Sequence, residues 1–383
     1  MLAQILTEVE ALSEGLAARA PRIEADRGLP DEVVKDLVAA GAMRMLVPEE
    51  HGGPGLDLPG ALRVVETLSR ADGSTGWCVG QVTLAQLIFA SFPAPALAAV
   101  YAAGPDSLGA GAVAPKGRAT DHGDRWQVSG QWPFVTGIRY AEWVYLTCVV
   151  LDGHAVRTGP DGAPVTRMVL LPAADLEVID TWHTMGLRGT GSHDVRVAGR
   201  SCPAGHSFSM AGDTPEAVRT RFRMAQSGLL IAAVNVGLAQ GAIDDVVALA
   251  TDGKRPAFSR RRLTESTLFQ DQLGEAVLTC AAARSLLYAE AADAARHDAE
   301  GRVPGPAERA RLRATAATVA TLAAKVVDTA HGLAGGSSVY ERSPLPRRMR
   351  DIHTSTQHFV NGRDYYAVLG ALMVGAEVDP ALP

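Results

Sequence analysis

The 383-residue sequence predicts an α+β fold of three successive parts: an N-terminal helical domain, a middle β domain and a C-terminal four-helix bundle. Two observations predict this fold. Apolar residues recur at helical spacing in the first and last parts of the chain, whereas the middle part consists of short runs rich in Val, Thr, Trp and Tyr. Helical and extended segments do not alternate, which argues against a doubly wound parallel sheet.

The N-terminal helical domain is predicted over residues 1–105. Between Leu2 and Leu12, apolar residues follow one another at a spacing of three or four, as on the buried face of a helix. Pro30 followed by Asp31 is a typical start for a further helix.

The middle β domain is predicted over residues 106–210. Residues 125–130, 143–151 and 168–171 are rich in β-branched and aromatic side chains, and Asp-Gly turns at 152–153 and 161–162 lie between such runs. About one hundred residues of this character favour a β-barrel or a β-sandwich.

The C-terminal bundle is predicted over residues 211–383. Four long alanine-rich segments, at 225–250, 267–298, 307–333 and 347–374, are separated by short polar loops. Four such helices are enough to close a bundle.

Composition narrows the classes of function. Formal net charge is -6 and basic residues are dense only at 254–262, so nucleic acid is not an expected partner. No apolar run approaches the length of about 18 residues that a membrane span requires, so no membrane partner is expected. The four cysteines lack paired spacing, which predicts neither a metal site nor a disulfide framework, and we expect a cytoplasmic protein.

Glycine clusters at 52–55, 186–191 and 335–336 do not lie between a strand and a helix of a βαβ unit. A nicotinamide-binding site of the dinucleotide type is therefore not predicted. The cluster at 186–191 indicates a tight turn in the β domain, and it leaves the hydroxyls of Thr190 and Ser192 free to face a ligand.

Three segments in order resemble the acyl-CoA dehydrogenase superfamily over nearly the whole chain. They are VPEEHGGPGLD at 47–57, GLAQGA at 237–242 and the pair Arg350-Asp351. The resemblance implies an acyl-CoA dehydrogenase-like fold whose three domains surround a bound flavin.

The residues argue against ordinary dehydrogenation. That reaction needs a carboxylate to remove the proton alpha to the thioester. In the family this glutamate usually follows the Arg-Asp pair by eight positions, where Phe359 stands here, and the second family location falls near Ser227. Neither residue is a carboxylate.

Other segments resemble the two-component, group D, flavin-dependent monooxygenase branch of the superfamily. They are SGQWPFVTG at 129–137, DTWHTMGLRGTGS at 180–192, GGSSVY at 335–340 and RDIHTSTQH at 350–358. The resemblance implies an oxygenase component that takes reduced FMN or FAD (FMNH2 or FADH2) from a separate NAD(P)H:flavin reductase, with or without a stable complex. Through a C4a-hydroperoxyflavin formed with O2 it would hydroxylate, or N- or S-oxygenate, a small aromatic or secondary-metabolite substrate. Related bundles imply a homotetramer.

By this resemblance Thr136 and His358 are the catalytic candidates. Thr136 would lie beside the flavin N5, where its hydroxyl accepts the N5 proton. His358 would lie on a late bundle helix, where it takes a proton from a phenol or lends one to the departing oxygen. The competing interpretations are a half-buried strand threonine and a solvated helix histidine.

The remaining predicted contacts hold the cofactor. Aromatic side chains would lie against the flat ring, glycine and hydroxyl groups would line its edge, and arginines would bind its phosphate across a subunit boundary. The competing interpretations are β-domain core for the aromatic residues and a solvated charge run for the arginines. The predicted residues are Trp132, Phe134, Thr136, Gly137, Trp182, Thr190, Ser192, Arg255 and Arg260.

Two alternatives stay open at this level. One is a flavin dehydrogenase or oxidase of the acyl-CoA type with an atypical base, and the other is a paralogue that kept the fold without catalysis. Anaerobic mixing with reduced flavin, followed by air, separates the three interpretations.

Overall fold

The computed structural model describes residues 1–159, 162–209, 215–256 and 260–378. Helices form the first part of the chain: α1 (Leu2–Asp26), α2 (Asp31–Ala39), α3 (Leu58–Ala71), α4 (Gly73–Phe89) and α5 (Ala94–Val100). The predicted helix start at Asp31 is confirmed. Asp57 and Asp72 begin α3 and α4, since the carboxylate of each accepts a backbone N–H of the first turn.

Strands form the middle part: β1 (Gly109–Asp121), β2 (Arg125–Val135), β3 (Trp143–Asp152), β4 (Ala155–Val156), β5 (Thr166–Pro172), β6 (Glu177–Ile179), β7 (His193–Pro203) and β8 (Ser207–Phe208). They pair in the order β6-β7-β2-β1-β3-β5-β8, with β4 beside β3. Strands β1 and β3 are parallel, and the other pairs are antiparallel.

The sheet is strongly curved around its own core. The sulfur of Cys202 in β7 lies 3.5 Å from the carbonyl oxygen of Leu170 in β5, although three strands separate β7 from β5 in the sheet. The predicted barrel or sandwich is therefore, over the described residues, one rolled sheet.

Helices return after the sheet: α6 (Pro215–Ala225), α7 (Ser227–Thr251), α8 (Thr267–Ala299), α9 (Pro306–Ala334), α10 (Leu345–Ser355) and α11 (Asp364–Met373). Helix α7 packs against α8, α9 and α10 and forms the centre of the bundle. The prediction of a single helix over 347–374 is wrong, because α10 ends at Ser355 and the next α-helix begins only at Asp364.

Residues 217–251, which include α7, are the one stretch of the described chain that is long and apolar enough to cross a membrane by composition. Of the most apolar window in this stretch, 78% is buried inside the fold. An apolar helix at the centre of a bundle has this composition because neighbouring helices surround it.

Helix α4 connects the three parts of the molecule. It is buried on nearly every side and packs against α3, α7 and β1. Its first turn carries Asp72 as N-cap, and Trp77 follows one turn later. Side chains of α4 therefore reach both the sheet and the bundle.

Candidate active site

The site is built where the end of β2, the turn before β7 and the first half of α4 meet. Phe134, near the end of β2, has a φ of +65°, and after Val135 the chain leaves the strand through a tight turn in which Gly137 has a φ of +76°. The N–H of Thr136 donates to the carbonyl of Phe134 at 3.1 Å. This turn directs the Thr136 side chain into the interior, where the residue is 7% exposed.

Three hydroxyls, those of Thr136, Ser192 and Thr190, form a continuous hydrogen-bonded row that we name the hydroxyl chain. Thr136 Oγ1 lies 2.7 Å from Ser192 Oγ, which lies 2.8 Å from Thr190 Oγ1. At one end Thr190 donates to the carbonyl of Leu187 at 2.8 Å. At the other end the indole N–H of Trp77 donates to Thr136 at 3.3 Å.

The direction of the hydroxyl chain follows from its two ends. Because a carbonyl only accepts, the single proton of Thr190 is used on Leu187. Ser192 must then donate to Thr190, and Thr136 must donate to Ser192. One acceptor position of Thr136 is taken by Trp77, so the group it has left for a ligand is a lone pair.

Phe134 and Trp182 give the site an aromatic edge. Phe134 is 69% exposed, and its ring meets Trp182 edge-on with centroids 6.1 Å apart. Trp182 is buried, and its indole N–H donates to the carbonyl of Leu187 at 3.0 Å. An exposed aromatic ring held against a fixed neighbour offers a flat apolar surface to a ligand.

Trp132 does not share this site. It is fully buried in the core of the rolled sheet, where its indole N–H donates to the carbonyl of Thr147 at 2.8 Å. A ring with no exposed surface and no free donor has nothing to offer to a flavin. The competing interpretation, β-domain core, describes the observed position.

His358 lies in the break between α10 and α11, not on a helix as predicted. Helix α10 ends at Ser355, whose carbonyl accepts the side-chain N–H of Asn361 at 2.9 Å, and residues Phe359–Asn361 form a 3₁₀ turn. The same carbonyl accepts the backbone N–H of His358 at 3.1 Å, so this tighter bond and the Asn361 amide together take the place of the next α-helical hydrogen bond. The adjoining Asn361-Gly362 pair is a turn signal that the sequence contained.

The break places the His358 ring against Trp77. The two rings meet edge-on with centroids 5.7 Å apart, which brings His358 next to the Thr136 end of the hydroxyl chain. Nδ1 of His358 accepts the N–H of Val360 at 3.4 Å, so we assign the proton of the neutral ring to Nε2. Burial lowers the pKa of His358 to about 4. The ring is therefore neutral near pH 7 and presents an N–H donor.

Arg255 and Arg260 are exposed on the loop between α7 and α8, of which residues 257–259 lie outside the described residues. The hydrogen bonds and ion pairs described within one protomer do not connect either arginine to the hydroxyl chain. Their binding of flavin phosphate across a subunit boundary stays a prediction.

Sequence reasoning missed Trp77 and the part played by Asp351. Trp77 carries no local signal, because an apolar residue on a buried helix is expected in any core. In the sequence Asp351 is recognisable only as half of a family pair, whereas in the structure its side chain accepts the N–H of Leu187 at 2.6 Å.

Two clefts of about 570 and 710 Å³ lie elsewhere on the surface. One is lined by the start of α1 and the turn at Gly52, and the other by polar residues of α1, α3, α7 and α8. No residue of the hydroxyl chain lines either cleft. Volume alone therefore does not locate the chemistry of this molecule.

Two family models match the chain. The model for the N-terminal domain of acyl-CoA dehydrogenase matches residues 4–97, and the model for the C-terminal domain matches residues 229–362. Together they cover more than half of the chain, on the two helical parts that flank the sheet.

Similar proteins extend over the whole length. Indole-3-acetate monooxygenase of Pseudomonas putida is 29% identical over 378 residues, which cover 97% of this chain and 94% of that protein. The oxygenase component of an FADH2-dependent resorcinol hydroxylase of a Rhizobium species is 27% identical and covers 98% and 95%. The structure of XiaF from a Streptomyces species, in complex with FADH2 and glycerol, superposes with a TM-score of 0.90 at 27% identity, covering 100% of this chain and 97% of that one.

Proposed function

This chain belongs to the acyl-CoA dehydrogenase family, and we propose that it is the oxygenase component of a two-component flavin-dependent monooxygenase. It receives reduced FMN or FAD from a separate reductase and uses dioxygen to oxygenate a small aromatic substrate. The full-length similarity to two aromatic-compound oxygenases supports this class of reaction.

The direction of the hydroxyl chain is the observation that carries the proposal. Thr136 keeps only an acceptor lone pair for a ligand, since its proton is used on Ser192. The N5 atom of a reduced flavin bears a proton and donates, whereas N5 of an oxidised flavin only accepts. A site that offers an acceptor at this atom fits the reduced form and disfavours the oxidised form.

The surrounding residues also fit a flavin ring. Phe134 and Trp182 would lie against its apolar surface, and the buried turn at Gly137, packed on Tyr140, would hold Thr136 at its edge. When bound, the reduced flavin supplies the two electrons with which dioxygen gives one oxygen atom to the substrate and the other to water.

His358 serves this chemistry as a neutral hydrogen-bond donor. Its Nε2–H orients an oxygen atom of the substrate or of the oxygen species beside Trp77. Removing a phenol proton would require the ring to become charged in an environment that lowers its pKa to about 4, so donation is the role that the surroundings favour.

An acyl-CoA dehydrogenase needs a carboxylate at one of two family positions. Phe359 stands at the first and is exposed, and Ser227 stands at the second and is buried at the start of α7. The nearby carboxylate of Asp351 is bound to the Leu187 N–H. Dehydrogenation with an atypical base is therefore the weaker alternative.

A direct test measures flavin binding and oxygen transfer in the same preparation. We expect the purified protein to bind reduced flavin more tightly than oxidised flavin, and to transfer one atom of labelled dioxygen to an aromatic acid or phenol only when reduced flavin is supplied. Reduction of bound flavin by an acyl-CoA, or by NADH without a second protein, would contradict the proposal.

We also propose a homotetramer, or at least a dimer. Leu268 and Leu278 of α8 are 67% and 72% exposed on one chain, and large apolar side chains exposed along a bundle helix favour association. Light scattering at micromolar concentration tests this, and a monomer would refute it.

A further inference from the structure

The carboxyl group of Asp351 lies at the junction of the three parts of the molecule. Asp351 belongs to α10 and is 2% exposed. Its Oδ1 accepts the N–H of Leu187 from the β domain at 2.6 Å. Its Oδ2 faces the start of α4, where a side chain added to Gly73 would lie 3.2 Å from it.

The residue bonded to Asp351 is the same one that ends the hydroxyl chain, through the next peptide group along the backbone. Leu187 has a φ of +48°, an unusual conformation for a branched side chain, and its carbonyl accepts from Thr190. The turn packs so closely on α10 that a side chain at Gly186 would collide with the backbone of Arg350. Asp351 therefore holds the N–H of the residue whose carbonyl sets the direction of the hydroxyl chain.

We propose that Asp351 is a positioning residue which, by holding Leu187, keeps the Thr136 hydroxyl as an acceptor toward the ligand. This inference rests on the proposed function. The Leu187 carbonyl also accepts the indole N–H of Trp182 at 3.0 Å and the backbone N–H of Thr190 at 3.1 Å. Without the Asp351 bond these two contacts remain, but the turn loses its connection to α10, so the carbonyl can shift relative to the Thr190 hydroxyl and the row of hydroxyls can reverse. A reversed row offers a donor at Thr136, which suits an oxidised flavin as well as a reduced one.

Ionisation of Asp351 gives a second way to observe this contact. Burial and the neighbouring Asp72 raise the pKa of Asp351 to about 7, although the Leu187 N–H opposes the shift. Asp72 itself is 2% exposed and has a raised pKa because of burial. Near neutral pH the uncharged form of Asp351 is thus populated beside Asp72.

Charged groups from every neighbouring helix face this pair. Arg347 lowers and Glu24 of α1 raises the pKa of Asp351. Arg347 and Arg348 also lower the pKa of Asp72, although burial raises it overall. Arg348 in addition binds Asp245 of α7, Arg350 binds Glu24 and His353 binds Asp328 of α9. The turn at Leu187 contributes its backbone N–H.

The test compares Asp351→Ala, Asp351→Asn and the control Asp328→Asn. Asparagine keeps an acceptor for Leu187 and places a donor toward Asp72, whereas alanine removes both. The control changes a carboxylate that also contacts α10 but does not reach Leu187.

The first measurement is the ratio of the dissociation constants for oxidised and reduced flavin, taken without turnover. We expect Asp351→Ala to lower this ratio roughly 2- to 12-fold, the range of one neutral hydrogen bond, and Asp351→Asn and the control to keep it. The second is amide hydrogen exchange of residues 186–192 in flavin-free protein. Exchange of these amides should be faster in Asp351→Ala than in the wild type. In the wild type the exchange rate, corrected for the intrinsic pH dependence of exchange, should still vary with pH near neutrality, and in Asp351→Asn this variation should disappear.

Unchanged exchange in 186–192 together with an unchanged ratio in Asp351→Ala would overturn the proposal. Should the alanine variant not fold, the asparagine variant decides. If exchange of residues 186–192 depends on pH in Asp351→Asn as it does in the wild type, the proposal is also overturned. If the wild type binds both flavin forms equally, the proposed function fails, and the exchange data then decide separately whether Asp351 holds Leu187.

Discussion

Replacing Asp351 with asparagine should flatten the pH dependence of stability around neutrality. In the folded protein the pKa of Asp351 is raised to about 7 from an ordinary value of 3.8, first by burial and then by Asp72. A raised pKa means that the folded state holds a proton which the unfolded chain has released. This stability is fully present below the ordinary pKa and is lost as pH rises through about 7.

The magnitude follows from the shift. About three pKa units correspond to roughly 4 kcal/mol between the two protonation states, of which about 2.5 kcal/mol is lost between about pH 5 and about pH 8. Because Asp351 and Asp72 interact, part of this free energy belongs to the titration of the pair and not to Asp351 alone. For a chain of this length, 2.5 kcal/mol corresponds to about 3 °C in the midpoint of thermal unfolding.

The assay is thermal unfolding of flavin-free wild type, Asp351→Asn and the control Asp328→Asn over this range. The midpoint of the wild type and of the control should fall by about 3 °C more than that of Asp351→Asn. Every other titrating group is shared by the three proteins except Asp328, whose removal the control measures. Equal slopes in wild type and Asp351→Asn would refute the reasoning.

Three further changes act at the other end of the site. Thr136→Val removes the acceptor and should lower product formed per flavin oxidised while hydrogen peroxide rises, and unchanged coupling would contradict its role. His358→Gln keeps a neutral donor and should retain more coupled turnover than His358→Ala; since burial lowers the pKa of His358 to about 4, the wild-type rate should show no ionisation of this ring between about pH 5.5 and about pH 8. Asn361→Ala removes one of the two hydrogen bonds to the Ser355 carbonyl, the other being from the backbone N–H of His358, so it should cost about 0.5–1.5 kcal/mol and loosen the segment around His358, which hydrogen exchange of residues 355–362 would detect.

The sequence predicted the order of helical and extended parts because that order depends on local periodicity. The sequence predicts Thr136, Thr190 and Ser192 as separate contacts to a cofactor, and the structure brings the three into hydrogen-bond contact with one another. Whether these groups bind a flavin stays a prediction.

Contacts between residues that are far apart in the sequence could not be predicted. Alanine-rich periodicity continues past Ser355, but the side chain of Asn361 competes for the Ser355 carbonyl and ends the helix. Trp132 and Trp182 have equal apolar character in sequence, and only packing decides that Trp132 fills the sheet core while Trp182 borders the site. Trp77 reaches Thr136 across 59 positions of chain, a separation that no local pattern encodes.

Non-glycine residues with unusual backbone conformation lie beside the hydroxyl chain. Among the described residues, the non-glycine residues with positive φ are Arg27, Phe134 and Leu187. Phe134 precedes the first hydroxyl of the chain, Leu187 accepts from the last, and Arg27 binds the carbonyl of Trp182 at 3.2 Å. Each such conformation costs about 1–2 kcal/mol, and it persists only where surrounding contacts hold it.

Those contacts come from separate parts of the fold. The Leu187 N–H is held by Asp351 of the bundle, its carbonyl by Trp182 and Thr190 of the β domain, while Thr136 is held by Trp77 of the N-terminal helices. Because none of the three parts holds the hydroxyl chain alone, its direction depends on their being packed together. An acceptor at Thr136 is therefore a property of the assembled fold, and under the proposed function the same packing gives this hydroxyl its preference for a reduced flavin.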